Sequence, residues 1–189
     1  MQMRLTLLAT ARSSDVHDTR FQDDRSLDTT GWKDVQQASG PLNPLTAAEL
    51  RYCSPSPRAR ETGEALGLFP LAQPALRACD MGRWAGKTLH EVAESDSAGV
   101  DRWLSDPTAA PHGGESLLAF ISRIGGWLDT RPADEGTWIV AVVEPTVVRA
   151  ALCYALKAHP NSYWHIEPQP LSVTHFTGRP GAWNLSLPA

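Results

Sequence analysis

The stretch LTLLATARS, residues 5–13, opens with apolar side chains too few for a helix and closes on small residues. A short run with almost no polar interruption is how a strand buried on both faces of a parallel sheet reads, and WIVAVV at residues 138–143 has the same character. Both are expected to be central strands. Helical patterns lie at 30–39, entered through Asp28-Thr29-Thr30, at 58–66 before Gly67, at 116–128 and at 146–157. Strand, loop, helix and strand in this order predict an α/β fold, doubly wound, with a mostly parallel central sheet flanked by helices. In such a sheet the ligand sits beyond the carboxyl ends of the strands, so the loops at Ala9 and Glu144 are expected to face one pocket. The Pro- and Gly-rich segments 70–74, 106–114 and 167–170 read as surface connections, and a single domain over 1–189 is expected.

A chain of 189 residues buries roughly two-thirds of its unfolded surface without staples. Cys53, Cys79 and Cys153 are odd in number and scattered, which fits free thiols in a reducing compartment and predicts a cytoplasmic protein. With 17 Lys and Arg spread along the chain against 21 Asp and Glu, no basic surface for nucleic acid is expected. The apolar start is too short for a membrane span, and the polar run at 12–24 follows it, so a buried strand explains it better than a signal peptide. The expected partner is a small-molecule ligand, with no nucleic acid and no membrane, and the chain is expected as monomer or homodimer. No cofactor and no metal are expected.

Five segments carry a family resemblance. Arg20-Phe21 with Asp24, Leu27 and Gly31 is similar to RF-x-G-D-x-x-L-x-x-x-G, without the Gly before Asp24, and residues 53–62, CSPSPRARET, are similar to S-S-P-x-x-R-A-x-Q-T. Leu76, Asp80, Gly82, Trp84 and Gly86 resemble L-x-E-x-x-x-G-x-W-E-G, Gly113 to Ser116 match G-G-E-S, and residues 138–152 resemble a strand and helix carrying H-G-x-x-x-R. Taken in order over roughly residues 5–155, these resemble the histidine phosphatase superfamily, the phosphoglycerate mutase-like proteins. The resemblance implies that fold, and a site in which two arginines and two histidines surround a phosphoryl group passed through a phosphohistidine. It also locates departures. Ala9, Thr10 and Ala11 stand for the Arg-His-Gly after the first strand, Ala78 for the acid-base Glu, and Glu144-Pro145 for the second His-Gly. Arg58 keeps the phosphate-gripping arginine, and Arg149 keeps the arginine that follows the second histidine.

A threonine hydroxyl is no substitute for an imidazole nucleophile at neutral pH, and a carboxylate about 4 Å from a phosphate oxygen repels it by about 4 kcal/mol per unit charge at an effective dielectric of 20. The expected protein has therefore lost phosphohistidine chemistry. Glu144, Arg58 and Thr10 are the catalytic candidates: Glu144 facing Arg58 either serves as general acid or base on a non-phosphorylated organic substrate, or neutralises it in a dead, ligand- or partner-binding site. Residual phosphatase activity through Thr10 is the remaining alternative. Arg12 could swing into the space at Ala9, and Arg12, Ser13, Arg20, Trp84 and His112 are ligand-binding candidates, Trp84 with Met81 as an apolar wall. His17, His112 and His175 are candidates for proton transfer, more ordinarily surface or locally bonded histidines. Asp15, Asp18, Asp23 and Asp24 read as a solvated acidic loop rather than an ion site. Cys79 reads as packing, its thiol raised by Asp80.

Overall fold

The computed structural model describes residues 2–13, 18–131 and 134–187. Its sheet is built from β1 (Met3–Ala9), β2 (Leu50–Cys53), β3 (Leu71–Ala72), β4 (Trp138–Val143), β5 (Val173–Arg179) and β6 (Ala182–Ser186) in the order β3-β2-β4-β1-β5-β6. The four strands from β3 to β1 run parallel, and β5 and β6 are added antiparallel. The two apolar runs are adjacent central strands, paired from Arg4 with Trp138 to Ala9 with Val143. The helices are α1 (Thr29–Leu42), α2 (Pro57–Ala65), α3 (Leu89–Ser105), α4 (Leu117–Asp129) and α5 (Pro145–Ala155).

Alternation along the central strands divides the core. Leu5, Leu7 and Ala9 with Ile139, Ala141 and Val143 pack with residues of α3, α4 and α5, whereas Leu8, Val140, Val142 and Cys53 pack with Val35 of α1 and Ala59 of α2. Two-sided burial removes any reason for polar alternation, which is why both strands read as unbroken apolar runs. Each such Leu or Val contributes about 1.5 to 3 kcal/mol of burial free energy.

Helix starts follow their side-chain caps. Asp28 accepts from the Gly31 N–H at 2.6 Å, Ser56 from Ala59 at 3.2 Å and Ser116 from Ala119 at 3.1 Å. Gly31 is required for a further reason: a Cβ there would collide with the carbonyl oxygen of Arg12, so α1 can seat on the loop after β1 only without a side chain. Segment 70–74 is not purely a connection, because Leu71 and Ala72 pair with Tyr52 and Cys53 at the sheet edge. Helix α3 leaves no clear period in the sequence; its start is a reciprocal cap in which Thr88 and Glu91 each bond the other's backbone N–H.

Candidate functional site

The parallel pairing of β1 with β4 ends at Ala9 and Val143, and the Thr10 N–H then donates to the Val143 carbonyl at 2.9 Å. Thr10 and Glu144 therefore leave neighbouring strands together, both only 2 % exposed. Pro145 starts α5 immediately after Glu144, a position where its missing N–H is not needed. Across the site, the Ser56 cap and Pro57 start α2 so that Arg58 in its first turn reaches inward.

Arg58 Nε lies 3.9 Å from Glu144 Oε1, an ion pair too long to be a hydrogen bond. Arg58 Nη1 donates to Ser13 Oγ at 2.8 Å, and Ser13 donates to Asp23 Oδ2 at 3.2 Å. Arg25 grips Asp23 through Nε and Nη2, both at 2.8 Å, and reaches Asp18 through Nη1 at 2.6 Å, while Arg20 reaches Asp18 at 2.7 Å. Charges thus alternate from Glu144 through Arg58, Asp23, Arg25 and Asp18 to Arg20. Burial pushes the Asp23 carboxyl up, but hydrogen bonds from Arg25 and the nearby Arg58 outweigh it and hold the group below its usual range. Asp18, at the exposed end, is held low by its bonds from Arg25 and Arg20. The aspartates read as an acidic loop are arginine partners, apart from Asp15, which lies outside the described residues, and Asp24, which lines a cavity.

Two cavities flank the Arg58–Glu144 pair. One, of about 460 Å³, is lined by Arg20, Phe21, Asp23, Arg58, Met81, Val100, Trp103, Leu104, Thr146, Arg149, Tyr163 and Trp164 among others. The second, of about 360 Å³, is lined by Asp23, Asp24, Ser54 to Pro57, Arg77 and Glu144, and the two share Gln22, Asp23 and Ala78. Ala78 is pinned from behind: Arg123 bonds both oxygens of Glu115 at 2.8 Å and also takes the carbonyls of Ala75, Arg77 and Ala78. Within the described residues Glu144 Oε2, Arg58 Nε, Thr146 Oγ1 and Arg149 Nε are buried without a hydrogen-bond partner. A buried polar atom left unpaired costs about 1 to 3 kcal/mol, and these four belong to residues that line one or other of the two cavities.

The structure brings Thr10, Arg58, Glu144 and Ser13 together, with Arg20 on the wall of the larger cavity. It sends the others elsewhere. Arg12 does not fill the space beside Ala9, which is completely buried; its half-exposed side chain pairs with Asp34 of α1 at 3.2 Å, because Asp34 lies on the helix that the Arg12 carbonyl abuts. Trp84 is a core residue rather than a cavity wall, packed 5.6 Å from the Phe21 ring and 5.1 Å from that of His112. Met81 does line the cavity.

His112 sits between Trp84 and Trp103, its Nδ1 accepting from the Gly114 N–H at 3.0 Å, and burial lowers its pKa. Trp103, not His112, reaches the cavity. His175 bonds Thr6 three residues before the strand end, away from the site, and His17 lies outside the described residues. The Cys79 thiol lines the cavity but is pushed up by burial first and Glu115 next, with Asp80 contributing less. Neither motif nor spacing singles out Asp23 as the anchor behind Arg58, and Thr146 and Arg149 are not among the candidate residues of the site. The signal for the last two was available, since residues three apart on the helix after Glu144 share its inward face.

The sequence profile of the histidine phosphatase superfamily (branch 1) matches residues 11–188. A Mycobacterium tuberculosis protein described as bifunctional is 31 % identical over 157 residues, covering 79 % of this chain, and the match spans only 43 % of that relative's length. Phosphoserine phosphatase 1 of Hydrogenobacter thermophilus is 31 % identical over 157 residues, covering 70 % of this chain and 74 % of the relative. Among solved structures, a phosphoserine phosphatase variant from Entamoeba histolytica with phosphoserine superposes with a TM-score of 0.83 at 19 % identity, covering 98 % of this chain and 95 % of that one, a likeness of fold.

Proposed function

The chain belongs to the histidine phosphatase superfamily, branch 1, and from that premise we propose that it has left phosphohistidine chemistry and acts on a non-phosphorylated small organic substrate. In this reading Glu144 is the general acid or base and Arg58 its electrostatic partner. The observation that carries it is the buried Glu144 carboxylate, one oxygen 3.9 Å from Arg58 Nε and the other unengaged, on the wall of a cavity.

The chemistry follows from what faces the cavities. Thr10 lines neither cavity, and of the described histidines only His90 stands on a cavity wall, where it pairs with Glu94 at 3.4 Å, while His112 and His175 are engaged elsewhere. The Cys79 thiol is raised by burial, and that of Cys53 is pushed up to about 11 by burial and the Glu144 charge, so neither supplies a thiolate. Glu144 remains as the group able to take a proton from a carbon or oxygen acid and return it. Arg58, oriented by Ser13 and Asp23, would stabilise the anion that develops. Isomerase, lyase, cyclase and hydrolase reactions all use this step.

A second reading, a pseudoenzyme that binds a ligand or protein partner without turnover, is favoured by the pair itself, because a buried ion pair is retained for structural reasons too. Residual phosphatase activity is the third, supported by relatives that are named phosphatases. Converting Glu144→Gln and following metabolites in extracts with purified protein separates them. Loss of a product at unchanged melting temperature supports acid-base chemistry, unchanged product formation sinks it, and a phosphoenzyme trapped from a labelled phosphate ester supports the phosphatase.

A further inference from the structure

The larger cavity has a composition that selects a ligand class. Trp103, Trp164, Val100, Leu104, Met81 and Phe21 give it an aromatic and aliphatic body, and its volume of about 460 Å³ is that of a small-molecule site. Its unused buried polar atoms are almost all donors: Arg58 Nε, Arg149 Nε and Trp164 Nε1, joined by the Thr146 hydroxyl. A guanidinium or indole N–H accepts nothing, so the missing partner is an acceptor.

The charges are specific as well. Arg20 is paired with Asp18, Arg58 with Glu144, and Asp23 with Arg25. Arg149 has no carboxylate within 4 Å among the described residues and is covered instead by the Tyr163 ring, 5.5 Å from its guanidinium carbon. Of the three arginines on the cavity wall, Arg149 is therefore the one that lacks a carboxylate partner among the described residues. Thr146 lies three residues before Arg149 on α5, so hydroxyl and guanidinium share one face and can meet the two oxygens of one planar head group. A second negative charge would have no partner and would face Glu144 beyond Arg58.

Resting on the reading of this site as a small-molecule pocket, we propose that the cavity binds a monoanionic organic acid, its carboxylate on Arg149 and Thr146 and its apolar body against Trp103, Trp164, Val100 and Leu104. Phosphate monoesters, as dianions, are the poorer ligands.

Isothermal calorimetry on the full chain with 2-naphthaleneacetate, its neutral amide and 2-naphthyl phosphate tests this. The acid is expected to bind at least 10-fold tighter than the amide and than the phosphate, and Arg149→Met to lower acid affinity to that of the amide while leaving the amide unchanged. Equal binding of acid and amide, tighter binding of the phosphate, failure of all three to bind, or an Arg149→Met protein that keeps the preference would each overturn it. Should that variant fail to fold, the preference of the unaltered chain for acid over amide decides alone. Because binding is also measured in Glu144→Gln, the proposals part cleanly. Retained acid binding beside unchanged turnover would sink the acid-base role and keep the ligand class, and lost turnover without acid selectivity would do the reverse.

Discussion

Thr10 is the position at which the proposed departure from phosphohistidine chemistry is tested most directly. Its N–H continues the β1–β4 ladder onto the Val143 carbonyl, so the backbone after β1 is fixed and a substitution there changes the side chain alone. On that proposal, placing a histidine there is not expected to produce phosphoryl transfer by itself. Ala9 is completely buried against the strand core and supplies no cation, Glu144 faces Arg58, and Ala78 offers no acid. Thr10→His should give no phosphoenzyme above background when incubated with a labelled phosphate ester, whereas acid-labile label on the protein would mean that the rest of the pocket still supports transfer. Residues fixed by backbone pattern were legible in the sequence: Glu144 and Thr10 follow predicted strands, and Arg58 follows a Ser-Pro helix start. Those fixed by long-range packing were not. Arg12 turns to Asp34, and His112 is enclosed between two indoles, because of a neighbour 22 residues away in one case and neighbours on separate elements in the other.

Elements are legible in the sequence where burial leaves a period and obscure where it does not. The four anticipated helices and both central strands carry one-sided or two-sided apolar patterns, whereas α3 is polar through its middle and kinks at Asp96, whose carboxylate accepts from the Gly99 N–H at 3.0 Å and restarts the helix. Strand β2 is four residues long and half-buried over three of them, too little for a pattern. Helix α4 offers a sharp test of element packing through two adjacent glycines. A Cβ at Gly125 would drive into the Tyr154 ring of α5, and that ring is fixed by its hydroxyl donating to Asp129 at 2.6 Å. A Cβ at Gly126 meets nothing within 4 Å. Gly126→Ala should therefore stabilise by up to about 1 kcal/mol from helix propensity, and Gly125→Ala should destabilise by about 1 to 3 kcal/mol from overpacking. Urea midpoints of the two variants read this difference, and equal shifts would show that α4 and α5 are not held at this spacing.

Over the whole molecule, three titratable groups, His112, Asp23 and the half-buried Asp129, shift on folding so that each loses stabilising effect as pH falls. Burial lowers the His112 pKa below its ordinary 6.5, so as pH falls the unfolded chain takes up a proton before the folded one does, and stability is lost from about pH 6.5 downward. Asp23 and Asp129 are raised by burial but lowered further by hydrogen bonds, from Arg25 and from Tyr154 respectively, ending below their ordinary 3.8. Their contribution is complete above that value and is lost as pH falls through the lower folded values. Asp129 ties three parts of the fold together, since Tyr154 of α5, the Gly181 N–H between β5 and β6, and Trp183 of β6 all donate to it at the end of α4. Two steps of destabilisation are expected in urea midpoints taken from pH 8 to pH 2.5, one beginning near 6.5 and one below about 4. His112→Leu should remove the first step alone, and Asp129→Asn should lower stability at pH 7 by about 1 to 3 kcal/mol while shrinking the second. A first step that persists without His112 would mean that its ring is not held neutral between Trp84 and Trp103.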